Sequence, residues 1–249
     1  MASLSDLPGA GRRQHARLLT LTTPAGPDVL LVESARIDES LGPVAGHAGF
    51  RIQLTALAAD VASSLAELLG QPARLDLRTA TACSVPRPFH GHITQITRLG
   101  ANGGFARYRL IIEPWLAFLG HNRDSSLFQD KTVVEIVDAV FAAWRDRGRL
   151  APVWRWDLAD PARYRRRGMC VQYGESDLAF VRRLLVDEGL CCHFEHAAGD
   201  GDGLGGHTLV ISDHGDAFRA NAQVRFTPVG ATLTEDSLDR WSAHRPLGG

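Results

Sequence analysis

The sequence has no apolar run approaching the ~20 residues needed to span a bilayer. Its first residues, MASLSDLPGAGRRQHAR, also lack the apolar centre of a secretory signal. The reading is therefore of a chain made in the cytosol, with no membrane anchor and with any export by another route. An excess of either charge is missing too. The chain has 27 basic and 28 acidic residues and a formal net charge of −1, so no global field favours nucleic acid or an anionic membrane. Lysine is nearly absent, Lys131 being the only one, and the positive charge is arginine. Cysteine is scarce: Cys83, Cys170, Cys191 and Cys192 are too few and too irregularly spaced for a disulfide framework, and reduced thiols are expected. No GxSxG elbow, HExxH helix or phosphate loop occurs, so the sequence predicts no catalytic residues and no cofactor.

What is present is a chain of 249 residues, 45% hydrophobic and 22% charged, enough to bury a core in two or more lobes. Residues 1–16 read as a mobile tail. Strand-like runs follow at Arg17 to Thr23, Asp28 to Ile37 and Gly49 to Ala56, the last alternating Phe50, Ile52, Leu54 and Ala56 on one face. Asp60 to Gly70 has the spacing of a short helix ending at glycine. Strands are predicted at Ala73 to Thr79, Phe89 to Leu99 and Phe105 to Trp115, the last two joined by an Ala101-Asn102-Gly103-Gly104 turn whose residues tolerate positive φ.

The clearest helix is Val133 to about Arg147, with a stripe of Val133, Ile136, Val137, Val140, Phe141 and Trp144, and with Thr132 and Glu135 at capping-box spacing. The segment from Leu150 to Gly168 shows no period and reads as irregular. A strand at Met169 to Tyr173 leads into a helix from Leu178 to Glu188, then strands at Leu190 to His196 and His207 to Asp213 flank the glycine-rich GDGDGLGG loop. The order strand, polar turn, short helix, strand, strand thus occurs at 49–99 and again at 169–213, as duplication or as coincidence of small β units.

Potential reagents are outweighed by ordinary structural roles. The run Cys191-Cys192-His193-Phe194-Glu195-His196 offers metal-ligand types, but a strand sends alternate residues to opposite faces, so four ligands cannot converge from it. His90 and His92 share a strand face with no third ligand evident in the sequence. Glu175, Ser176 and Asp177 stand directly before a helix, as Asp130 and Thr132 do, which favours capping. Arg163, Arg165, Arg166 and Arg167 around Tyr164 read as a solvated or salt-bridged run. Trp144, Trp154 and Trp156 read as core or subunit-contact residues rather than a ligand box.

Several runs in order carry a resemblance: RPFHG (Arg87 to Gly91), ARYRLIIEPW (Ala106 to Trp115), RDSSLFQDKTVVEIV (Arg123 to Val137), VQYGESDLAFVRRLL (Val171 to Leu185), DEG (Asp187 to Gly189), FEH (Phe194 to His196), HTLVISD (His207 to Asp213) and the terminal TEDSLDRWSAHRPLGG. From about residue 17 to the end the chain resembles the VgrG spike proteins of type VI secretion systems and, more loosely, late-control D and tail hub proteins of contractile phages. The resemblance implies an α+β, β-rich fold, phage tail hub-like, of two small β-barrel-like units with an intervening α/β portion. It implies a first barrel at 17–120, a helical or irregular insertion at 121–168 and a second, incomplete unit at 169–249.

It further implies a homotrimer docked on a hexameric Hcp-type tube, with a structural role and no enzyme activity. The partners implied are further copies of the chain, the tube, a spike or β-helix region, and effector or baseplate proteins. Relatives continue into such segments, which these residues do not include, so a piece of a longer protein or a truncated member is expected. The positions matching family motifs are Phe89, His90, Gly91, Tyr108, Trp115, Arg123, Phe128, Gln129, Asp130, Tyr173, Glu175, Ser176, Asp177, Glu195 and His196. A phage baseplate hub is the alternative on the same fold. A small metal-dependent hydrolase using His90, His92 or the 191–196 run is the alternative of another class.

Overall fold

The computed structural model describes residues 17–26, 28–42, 48–58, 65–78, 86–102, 104–145, 147, 150–199 and 203–218, with the short strands Arg225–Phe226 and Ser237–Leu238. The predicted tail, Cys83, the first half of the helix predicted at 60–70 and most of the terminal motif lie outside those residues.

Alternating apolar residues produce a six-stranded antiparallel sheet from β1 (Leu19–Thr22), β2 (Leu30–Glu39), β3 (Phe50–Ala58), β4 (Pro72–Leu77), β5 (Arg87–Asn102) and β6 (Phe105–Glu113), in the order β1-β4-β5-β6-β3-β2. Phe50, Ile52, Leu54 and Ala56 are all buried on one face of β3, as the period of two requires. They meet Leu75, Phe89, Ile93, Tyr108, Leu110 and Ile112 in a single core. Register shifts at Val32/Ser34, Ile93/Gln95 and Arg98/Gly100 insert extra residues. Such bulges bend and twist strands, and they curl this sheet until edge strands β1 and β2 come together, a nearly closed barrel. The β5–β6 hairpin closes at Asn102 opposite Phe105, where the turn residues predict it.

Gly91 explains its own presence in the RPFHG run. A Cβ there would lie 2.7 Å from Ile112 Cγ2 and 2.8 Å from the Glu113 carbonyl oxygen, so β6 can pack this closely only against glycine.

The second unit begins after a 3₁₀ segment, Trp115–His121. Strand β7 (Arg123–Lys131) was not expected from the sequence, because its arginine, aspartates and serines hide the period. It pairs antiparallel with β9 (Arg167–Ser176) as a two-stranded ribbon. Helices α1 (Val133–Ala142) and α2 (Asp177–Asp187) bury Ile136, Val137, Phe141, Phe180, Val181 and Leu184 together with Trp115. The helix predicted to reach Arg147 is α-helical only to Ala142.

Strand β8 (Trp154–Asp157) lies within the segment read as irregular. Its alternating Trp154 and Trp156 were obscured by flanking prolines and by its length of four residues. It pairs parallel with β11 (Gly206–Ser212), which also pairs antiparallel with β10 (Cys191–Ala197). Residues 121–168 therefore supply β7, α1 and β8 to the same core and sheets as 169–212. The order noted at 49–99 and 169–213 is matched by a hairpin in each, β4–β5 and β10–β11, but the partners differ. β3 lies in the same sheet as its hairpin, whereas among the described residues β9 pairs only with β7. At the helical position the first copy is a 3₁₀ turn, Ala66–Leu68, among the described residues.

Candidate functional site

Capping accounts for some of the polar residues before the helices and fails for others. Thr132 and Glu135 form the predicted capping box: the Glu135 amide donates to Thr132 Oγ1 at 3.2 Å, and the Thr132 amide donates to Glu135 Oε2 at 2.8 Å. Ser176 accepts from the Ala179 amide at 3.2 Å and caps α2. Asp130 does not cap. It is exposed with φ +51°, and its carbonyl accepts from Arg166 at 2.6 Å. Glu175 instead pairs with Arg183 at 2.5 Å.

Asp177 is turned inward, where its carboxylate accepts from Trp144 Nε1 at 2.8 Å, Asn122 Nδ2 at 2.9 Å and Gln172 Nε2 at 2.8 Å. This buried carboxylate ties the start of α2 to the end of α1, to β9 and to the segment before β7. Asp138 does the same on α1, accepting from Trp154 Nε1 at 2.6 Å and Trp156 Nε1 at 2.9 Å. The three tryptophans are thus internal braces. Two arginines of the 163–167 run are also paired: Arg166 with Glu135 at 2.9 Å, and Arg167 with Glu188 at 2.6 Å.

The ribbon has two unlike faces. Phe128 stacks on Phe180 with ring centroids 5.6 Å apart, and Cys170 and Gln172 are buried beside it. On the other face the register sets Ser125 opposite Tyr173, Leu127 opposite Val171 and Gln129 opposite Met169. Tyr173 is 85% exposed, Met169 65%, Leu127 54% and Val171 43%. Four large apolar side chains on one strip of a two-stranded ribbon form a patch that a monomer leaves wet. Arg123 sits exposed at the start of the same ribbon, opposite Ser176.

Of the remaining motif residues, Phe89, His90, Trp115 and His196 converge on the joint between the units. His90 and His92 on β5 are 6% and 4% exposed, and no sequence signal pointed to further histidines beside them. The structure brings up His196 from β10 and His207 from β11. His90 Nδ1 lies 2.7 Å from His207 Nδ1, the His90 amide donates to His196 Nδ1 at 3.0 Å, and the Trp115 amide donates to His207 Nε2 at 3.0 Å. Phe50, Phe89, Phe118 and Phe194 surround these rings, and Phe194 packs against both cores.

Gly49, at φ +115°, lies where any Cβ would collide with Phe194, so the first unit's backbone makes room for that ring. Burial is the main cause that pushes His90, His92 and His196 down to about 4 and holds His207 well below the ordinary imidazole value. Glu195, on the opposite face of β10 from His196, pairs with Arg155 at 3.0 Å. Tyr108 belongs to the barrel core. His207 was missed as a site residue because it stands 117 positions from His90, and only the β10–β11 pairing carries it there.

Strand alternation separates the 191–196 run as expected, with Cys191 exposed and Cys192 buried. Among the described residues no group of three or more histidine, cysteine, aspartate or glutamate side chains is arranged to hold a metal ion. Nor is any helix among them long and apolar enough to cross a membrane.

Comparison with known proteins matches this geometry to one group. The family model of the phage tail baseplate hub (GPD) matches residues 47–248. Type VI secretion system spike protein VgrG1c of Pseudomonas aeruginosa is 32% identical over 86% of this chain, and VgrG1a of the same organism is 31% identical over 83%. The chain spans only 27% and 29% of the lengths of those two proteins. Among solved structures, the E. coli c3393 protein superposes with a TM-score of 0.65 and 25% identity, covering 84% of this chain and 52% of that one. That protein is described as a type VI secretion system component with structural similarity to the T4 tail proteins gp27 and gp5. The barrel, the ribbon and the joint therefore belong to a tail hub, and the chain is a member of the phage tail baseplate hub family, among the relatives of the type VI secretion VgrG spike proteins.

Proposed function

We propose that this chain is the hub region of a contractile-injection spike: three copies assemble, seat on a hexameric Hcp-type tube and carry a spike or effector outward with the apparatus. Its work is mechanical, with no chemical step. The observation that carries this reading beyond family membership is the exposed apolar strip Leu127, Met169, Val171 and Tyr173. Burying such a strip against a second copy or a tube subunit removes apolar surface from water, at roughly 25 cal/mol per Å². The inward hydrogen bonds of the tryptophans support it too, since those residues brace the subunit rather than present a ligand box.

The test is the solution mass of the purified chain, alone and with the tube protein, by light scattering or native mass spectrometry. A threefold mass, or a stable complex with the tube ring, is expected. A monomer that ignores the tube at high micromolar concentration would sink the reading for this chain.

A further inference from the structure

The histidine cluster at the joint has a property that hub assembly does not require. An amide N–H can only donate, so His196 Nδ1 and His207 Nε2, which accept from the His90 and Trp115 amides, carry no proton. The proton of His207 must then sit on Nδ1, pointing at His90 Nδ1 across 2.7 Å, and His90 must accept it there. Three imidazoles are thereby fixed as neutral, each in one tautomer; the His90–His207 and His90 amide–His196 bonds cross from one unit to the other, and the Trp115 amide holds His207 from within the second unit's core. Adding a proton to any of them sets donor against donor. At His196 it opposes the His90 amide, at His207 the Trp115 amide, and at His90 the His207 ring. The phenylalanine rings that line the joint offer no polar group to absorb that conflict.

We propose that this joint is an acid-released latch: protonation of the histidine cluster parts the barrel from the second unit while each keeps its own fold.

Each unit has a separate hydrophobic core, with Phe194 lying between them. Beyond the histidines, the polar ties across the joint include the Gly42 amide to the Cys192 carbonyl at 2.8 Å and Arg74 to the Gly203 carbonyl. The charged and titratable groups around the cluster do not offset added protons. From β4, Arg74 faces His90 and is paired with Asp76. From β5, Arg87 acts on His196 and is paired with Glu39 of β2.

From β6, Glu113 stands opposite His92 in register but is engaged by Thr94 and Arg51 of β3. His121, in the 3₁₀ segment, touches Phe118, which packs on His92. On β10, Glu195 is held by Arg155 and His193 packs on Phe218, away from the cluster. The four rings raise one another's cost of charging. The sign follows: an imidazole near 6.5 when released and near 4 in the closed joint stabilises closure fully above about 6.5. That contribution is lost as pH falls towards 4.

The experiment is amide hydrogen exchange and imidazole nitrogen NMR on the whole chain from pH 7.5 to 4. At neutral pH, His207 protonated on Nδ1 and His90 and His196 on Nε2 are expected. On acidification the Trp115 and His90 amides should lose at least about tenfold in protection, as a tenfold difference in proton affinity between the open and closed joint would give. Leu54 in the barrel and Leu184 in α2 should keep theirs. A second arm uses His196→Asn, which can still accept from the His90 amide but cannot titrate, and should flatten the loss. The wild-type arm decides the matter even if that variant does not fold. Imidazole midpoints near 6.5 with the joint amides still protected at pH 4 would overturn the proposal. So would loss of protection at Leu54 and Leu184 together with Trp115, which is global unfolding.

Discussion

At the scale of single residues, the carboxylate of Asp177 has the largest structural task, since it satisfies three side-chain donors at a helix start. Asp177→Ala strands those donors in the interior, and urea unfolding should show a loss of about 3 kcal/mol. Two adjacent cysteines provide a second check. Cys191 is exposed, whereas burial, with the neighbouring Cys191, pushes the Cys192 thiol up to about 11. Since the thiolate is the nucleophile, alkylation at pH 8 should modify Cys191 well before Cys192, as peptide mass mapping would show. Alternation along β10 was enough to foresee from the sequence that the two thiols face opposite ways, but not that Cys191 is the exposed one. The role of Asp177 was not foreseeable in the same way, because a serine and an aspartate at adjacent positions before a helix look equally like caps. Only the fold shows that Ser176 caps while Asp177 turns to Trp144.

At the scale of elements, legibility followed the hydrophobic period. β3, β6, α1 and α2 each bury one regular face, and their residues announce it. β7 presents one half-buried ring and a row of polar groups, and β8 is four residues long, so neither has a period to read. Both are strands because of partners distant in sequence, β9 and β11. Two substitutions test the local devices. Thr132→Ala removes half of the capping box and should cost about 1 kcal/mol in chemical denaturation. Gly91→Ala forces a methyl group against Ile112 and the Glu113 carbonyl, and thermal unfolding should reveal about 1–3 kcal/mol of overpacking.

At the scale of the whole molecule, the apolar strip on the ribbon separates assembly from stability. The double variant Leu127→Lys, Val171→Glu, with opposite charges because the two positions face each other across the ribbon, should leave the isolated chain's stability within about 1 kcal/mol, since both side chains are partly exposed. It should abolish the threefold mass or the tube complex; light scattering and calorimetry on one preparation read both. The strand order has a different consequence, for synthesis. All six barrel strands lie between Leu19 and Glu113, whereas β11 must meet β8 some fifty residues earlier before the second sheet is complete. The emerging chain can thus finish its barrel while His196 and His207 are still to be made, leaving His90 and His92 waiting on a surface that the last strands will cover.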